Sequence, residues 1–115
     1  MRDYPIELVH GADWKRTFTY LVSSGGAPVN LTGHVFKGLF LPHEDDPDTA
    51  AVITLTTGAG LTITPTLGIV VLQITKAQIA ALTTLPGWWK WEHTNAPADG
   101  SLTTRELTGA VVVVE

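Results

Sequence analysis

Three observations predict an all-β fold with one short helix. Turn-forming residues recur at short intervals, among them Gly11, Gly25-Gly26, Gly33, Pro47, Gly58, Gly68, Pro86-Gly87 and Gly109. The runs between them are short and rich in Val, Ile, Thr and aromatic residues, the spacing of a sandwich or barrel. Only residues 75–82 carry a helical signal. A chain of 115 residues is the size of one domain and can bury a core without metals or crosslinks.

The first strands fall at residues 6–9 and 13–22. In the second, Trp14, Phe18 and Tyr20 share one parity and Lys15, Thr17 and Thr19 the other, which is one buried face and one wet face. Arg16 falls on the apolar side, where its stem can pack while its head escapes at an edge. Ser23-Ser24-Gly25-Gly26 closes a hairpin toward a strand at 29–31. Residues 34–41 place Phe36, Phe40, Val35 and Leu39 on both parities, as a central strand buried on two sides does. After a loop at 42–48, strands are expected at 51–55, 61–64 and 69–74, paired antiparallel as a meander.

Thr75 can cap a helix over 76–82, and Gln78 stands where a capping box needs it. Pro86-Gly87 stops that helix, a strand follows at 88–93, and a turn spans 95–100. The last strands, 102–107 and 109–115, read as one long strand bent at Gly109. The architecture expected is a single Ig-like antiparallel β-sandwich of about eight strands with one short crossover helix.

Composition narrows the function classes. Hydrophobic residues make up 44% and charged residues 16%, less charge than an average domain carries, as expected where a partner covers part of the surface. The net charge is −4 and Lys and Arg do not cluster, so the footprint that holds phosphates is missing and nucleic acid is not expected as a partner. Without cysteine the chain has no disulfide, thiolate metal site or cysteine nucleophile. Met1 is followed by Arg2, Asp3 and Tyr4 with no signal-like apolar run, and no stretch has the length of a membrane span. Synthesis in a cytoplasm and no membrane partner are the expectation.

Residues with catalytic or metal-binding chemistry are sparse. The serines Ser23, Ser24 and Ser101 fall in turns without a nucleophile elbow, which argues against a serine triad and, more broadly, against an enzyme. The cluster His43-Glu44-Asp45-Asp46-Pro47-Asp48 offers hard oxygens suited to calcium, but it lacks the ligand alternation and glycine of an EF-hand and reads as an acidic surface loop. His10, His34, His43 and His93 show no metal-ligand spacing. No cofactor is expected.

Trp88, Trp89 and Trp91 concentrate three indoles within four residues. In a strand Trp89 and Trp91 face one way and Trp88 the other. Three readings stay open. Trp88 fills the core while the other two cover a sheet edge or the helix; the cluster anchors a protein interface; or Trp89 and Trp91 form a platform for sugar rings. The run Val111-Val112-Val113-Val114 puts apolar side chains on both faces of its strand, so that strand is central or covered by another subunit. The candidate interface residues are Trp88, Trp89, Trp91, Val111 and Val113.

Three stretches resemble a known group: VHGADWKRTFTYLVSSGGAPVNLTGHVFKGLF, GIVVLQITKAQIAALTTLPGWWKWEH and DGSLTTRELTGAVVVVE. They resemble the small β-sandwich domains of tailed-phage virion proteins, above all the LtfC-like β-sandwich family and more distantly the N-terminal domains of upper baseplate proteins. The resemblance rests on an opening G-x-D-W-x-x-x-F, a P-V-x-L-T-G step, a short T-x-x-Q-x-A-x-L helix and a closing G-x-V-x-V strand, in that order. It implies a non-enzymatic structural protein of a tailed bacteriophage virion, a minor tail protein at the tail tip or baseplate, present in many copies or as a homo-oligomer and partnered by other virion subunits. The alternatives are a capsid decoration or minor capsid protein, a carbohydrate-binding module that takes a host glycan on Trp89 and Trp91, and a metal-dependent enzyme using the loop from His43.

Overall fold

The computed structural model describes residues 2–21, 27–94 and 103–114. Its strands are β1 (Arg2–Asp3), β2 (Ile6–Val9), β3 (Trp14–Thr19), β4 (Val35–Leu41), β5 (Ile53–Thr57), β6 (Gly60–Thr64), β7 (Ile69–Ile74), β8 (Trp88–Thr94) and β9 (Thr103–Val114). The one α-helix among the described residues, α1 (Lys76–Ala80), joins β7 to β8. The fold is all-β, as the turn spacing predicts.

One hydrogen-bonded path runs β1-β9-β8-β4-β5-β6-β7-β3, with β2 also paired to β9. It folds over itself, so that β3 lies face to face with β8 and β4: Phe18 packs edge-on against Trp91, and Trp14 against Phe40. Between the layers sit Leu8, Leu31, Phe36, Phe40, Leu55, Leu72, Ile74 and the two indoles of Trp89 and Trp91. At about 25 cal/mol per Å² and about 150–250 Å² per indole, each buried Trp contributes roughly 4–6 kcal/mol of transfer free energy.

The pairs β9–β8, β8–β4, β4–β5, β6–β7 and β7–β3 are antiparallel. Two departures from the expected meander occur. β1 and β2 run parallel to β9, because the two ends of the described chain lie side by side, a pairing that hairpin logic does not anticipate. β5 meets β6 in a two-residue parallel contact where the path turns from one layer to the other around Gly58 and Gly60, both at positive φ.

β4 is central and buried on two sides as expected. Phe36 and Phe40 point into the core, while Leu39 and Leu41 are buried on the opposite face. The strand expected at 29–31 does not form. Only a bridge between Leu21 and Pro28 appears there; Val29 N–H donates to Tyr20 O and Leu31 N–H to Pro65 O, so the backbone bonds are met without a ladder. The Ser23-to-Gly26 turn, the 95–100 turn, Val22, Ser101, Leu102 and Glu115 lie outside the described residues.

Thr75 Oγ1 accepts from Gln78 N–H, and the Gln78 side chain accepts from Thr75 N–H, completing the capping box. Asp13 Oδ1 takes the N–H of Lys76 at 2.7 Å, which ties the helix to the start of β3. The helix stops at Ala80, earlier than the expected 82, and buries Ile79.

Candidate functional site

β8 settles the tryptophan cluster. Trp89 and Trp91 are both 0% exposed, and Trp88 is the half-buried member on the outer face, opposite Ala110. The parity was legible; the choice of inner face was not, and the expectation that Trp88 fills the core is reversed. Lys90, which shares Trp88's face, holds the clue: a lysine ammonium cannot sit among the core residues. A sugar platform or partner contact on Trp89 and Trp91 is therefore excluded in this chain, since neither ring has a free face. Trp89 Nε1–H donates to Tyr4 O at 2.6 Å and Trp91 Nε1–H to Tyr20 Oη at 2.9 Å, so both indole N–H groups are satisfied inside.

The valine run alternates in the opposite sense to the expectation. Val111 is buried and half-buried Val113 packs on the core, so both turn to the inner side, whereas Val112 and Val114 face out. The cause is register: Gly109 lies opposite inward-facing Trp89 and Ala110 opposite Trp88, so odd positions of this part of β9 face in. Val114 lies beside Val9 of β2, and Val9, Val112 and Val114 are 40%, 55% and 39% exposed.

In the acidic loop, Asp46 Oδ2 accepts from His43 N–H at 2.9 Å, a local turn bond, and Asp48 pairs with the ammonium of buried Lys90 on the outer face of β8. Among the described residues no group of three His, Asp or Glu side chains converges that could hold a metal ion.

A polar chain that sequence spacing did not reveal runs along one end of the sandwich. β9 carries an extra residue opposite the Trp91/Glu92 step: Trp91 pairs with Leu107 and Glu92 with Arg105, leaving Glu106 as the bulged residue. Tyr20 Oη–H donates to Glu106 Oε1 at 2.6 Å, and His93 Nδ1 lies 3.2 Å from Glu106 Oε2. His93 Nε2 lies 2.6 Å from His34 Nδ1, and the two rings stack at 4.9 Å. An ionised Glu106 only accepts, so His93 Nδ1 carries a hydrogen; in the singly protonated ring Nε2 then accepts from His34 Nδ1–H. Hydrogen bonds from Trp91 through Tyr20, and from His34 through His93, thus converge on one carboxylate.

Burial first, then the bond to Glu106 and its negative charge, push the Tyr20 phenol well above its usual range, against an opposing pull from the Trp91 N–H. The signal for this cluster was cross-strand: His93 pairs with Phe36, and His34 is two residues from Phe36 on the same face, a diagonal neighbour.

Beside this chain an open cleft of about 530 Å³ separates β3 from β9. Residues 17–20 form one wall, Glu106 and Leu107 the other, and Tyr4 also lines it. Tyr4 and Phe18 meet edge to face at 5.5 Å across this seam.

No protein-family model matches the chain, and no curated protein matches it.

The site combines an anchored carboxylate, aromatic walls and an unclosed seam in the sheet path. The chain's three serines lie outside the described residues. The described groups present a fixed carboxylate beside apolar surface.

Proposed function

We propose that this chain is a non-enzymatic structural module that assembles with neighbouring subunits in a tailed-phage virion, as a minor tail protein at the tail tip or baseplate. The observation that carries the assembly role is the outward row of Val9, Val112 and Val114 on the parallel β2–β9 pair, three branched apolar side chains turned to solvent beside half-buried Trp88, with Glu7 opposite Val112 as the charged residue of that face. Exposed apolar strand faces of this kind are stable in a particle when another subunit covers them. The sparse charge supports the same reading, and the sequence resemblance supplies the phage and tail assignment.

Immunogold labelling of virions purified from a phage that encodes this chain, viewed in negative stain, tests it. Label at the tail tip or baseplate is the expected result. Label on the shell replaces the tail assignment with a capsid decoration role, and protein found only in the lysate, with bare particles, overturns the virion reading.

A further inference from the structure

We propose that the seam between β3 and β9 receives an extended segment of a partner subunit that carries an arginine, whose guanidinium meets Glu106. The proposal rests on the assembly reading and names the chemistry of one of its partners.

The backbone supplies half of the argument. Among the described residues β3 ends the strand path and pairs with β7 alone. Tyr20 N–H donates to Gly68 O, and Tyr20 and Gly68 continue the β3–β7 register. Alternation of an antiparallel ladder therefore directs the peptide groups of Trp14, Arg16 and Phe18 to β7, and those of Lys15, Thr17 and Thr19 to the open side. The cleft runs along residues 17–20 of that side. Among the described residues, an incoming strand meets a row of N–H and C=O groups that no strand pairs, with only the Lys15 carbonyl accepting from the Arg16 guanidinium, which is the requirement for β-strand addition. At about 530 Å³ the cleft also lies within the roughly 300–1,000 Å³ of ligand sites.

Charge and shape supply the other half. The rings of Tyr4, Phe18 and Tyr20 border the cleft, and Glu106 brings a carboxylate to it. Among the residues whose side chains are described, no lysine or arginine forms an ion pair with Glu106, and the Tyr20 hydroxyl and the His93 ring are bonded to it. These hold the carboxylate in place, and each oxygen keeps acceptor capacity beyond the bond it makes. A planar guanidinium fits a carboxylate and stacks on aromatic faces, which a compact ammonium does less well.

The test is an amide NMR titration of the full chain with acetyl-Thr-Val-Arg-Val-Thr-amide and with its citrulline analogue, which keeps the shape and removes the charge. The expected result is saturable shifts at Lys15, Thr17, Thr19 and Leu107 with the arginine peptide, and binding at least about tenfold weaker for citrulline and for Glu106→Gln. Thr17→Pro, which removes an outward N–H and fixes φ at an edge position where proline is tolerated, is expected to abolish binding while keeping the N–H groups that bond β7. Equal binding of both peptides, shifts mapping elsewhere, or no shift at millimolar peptide overturns the proposal. The citrulline comparison uses the unaltered chain and does not depend on how any variant folds. Labelled virions without peptide binding sink this proposal alone; peptide binding without virion label sinks the assembly setting and leaves the cleft chemistry standing.

Discussion

The indole N–H of Trp89 reaches the carbonyl of Tyr4 across the space above Gly109. A Cβ on Gly109 would lie 2.5 Å from that oxygen and 2.7 Å from its carbon, so the absence of a side chain is what lets the segment before β2 cross β9 and satisfy the indole. Gly109→Ala is expected to destabilise by about 2–4 kcal/mol, from backbone displacement plus a buried N–H left without its acceptor. Gly38→Ala is the control. Its Cβ meets Leu55 and Trp91 at an ordinary 3.5 Å, and its cost is expected below about 1 kcal/mol. Urea unfolding midpoints for the two variants check the contrast.

Tyr20 ties stability to alkaline pH. Its phenol is raised in the folded chain, so its contribution is fully present below the unfolded value of about 10. Above that pH the unfolded chain loses the phenolic proton first, and stability falls as pH rises toward the folded value. Tyr20→Phe is expected to be less stable at neutral pH, because Trp91 Nε1–H and Glu106 each lose a partner, and to show a shallower decline between about pH 9 and 11. Denaturation midpoints across that range measure both effects.

Local chemistry was legible and facing was not. Residues 6–9 and 69–74 form the strands their apolar pattern and bounding turns indicate, and Thr75 with Gln78 caps the helix as their spacing requires. Strand alternation separates Trp88 from Trp89 and Trp91 but leaves open which side is the interior; that is fixed by β3, which packs Phe18 onto Trp91 from the other layer. Glu106 reaches Tyr20 and His93 only because a bulge shifts the β8–β9 register, and one extra residue in a ladder leaves no periodic trace. His34 and His93 are separated by 59 positions and meet through the β4–β8 pairing, which a search for short ligand spacings does not sample.

Lys90 is the one buried charged residue among those described, and Asp48 of the acidic loop is its ion-pair partner. Asp48 is half exposed, so solvent screens the pair and its worth is below that of a fully buried bridge. Asp48→Ala is expected to cost about 1–2 kcal/mol, chiefly because the ammonium is left desolvated without its carboxylate. In the double variant Asp48→Ala with Lys90→Met, the charge is gone and its stem is replaced by an apolar chain, so most of that loss should return. A double-mutant cycle by thermal unfolding decides the matter; equal losses in the single and double variants would show that the loop, not the charge, is responsible.

Neighbouring valines of β9 separate folding from assembly. Val112 is exposed on the outer face and Val111, one residue earlier, is buried against the core. Val112→Asp sets a solvated charge opposite Glu7 of β2, and its cost to stability is expected at only about 1 kcal/mol, from like-charge repulsion and the poor strand propensity of Asp. Val111→Asp buries a carboxylate without a partner and should cost more than about 3 kcal/mol or prevent folding. If the outer row of Val9, Val112 and Val114 is covered by another subunit, Val112→Asp desolvates a charge at that contact, and the well-folded variant should fail to enter virions when supplied in place of the native chain. Thermal unfolding of the purified variants, with immunoblotting of particles grown on each, reads the two effects apart. A Val112→Asp chain that folds normally and incorporates at native levels would remove this face as the contact, leaving the β3 seam as the surface through which assembly has to be sought.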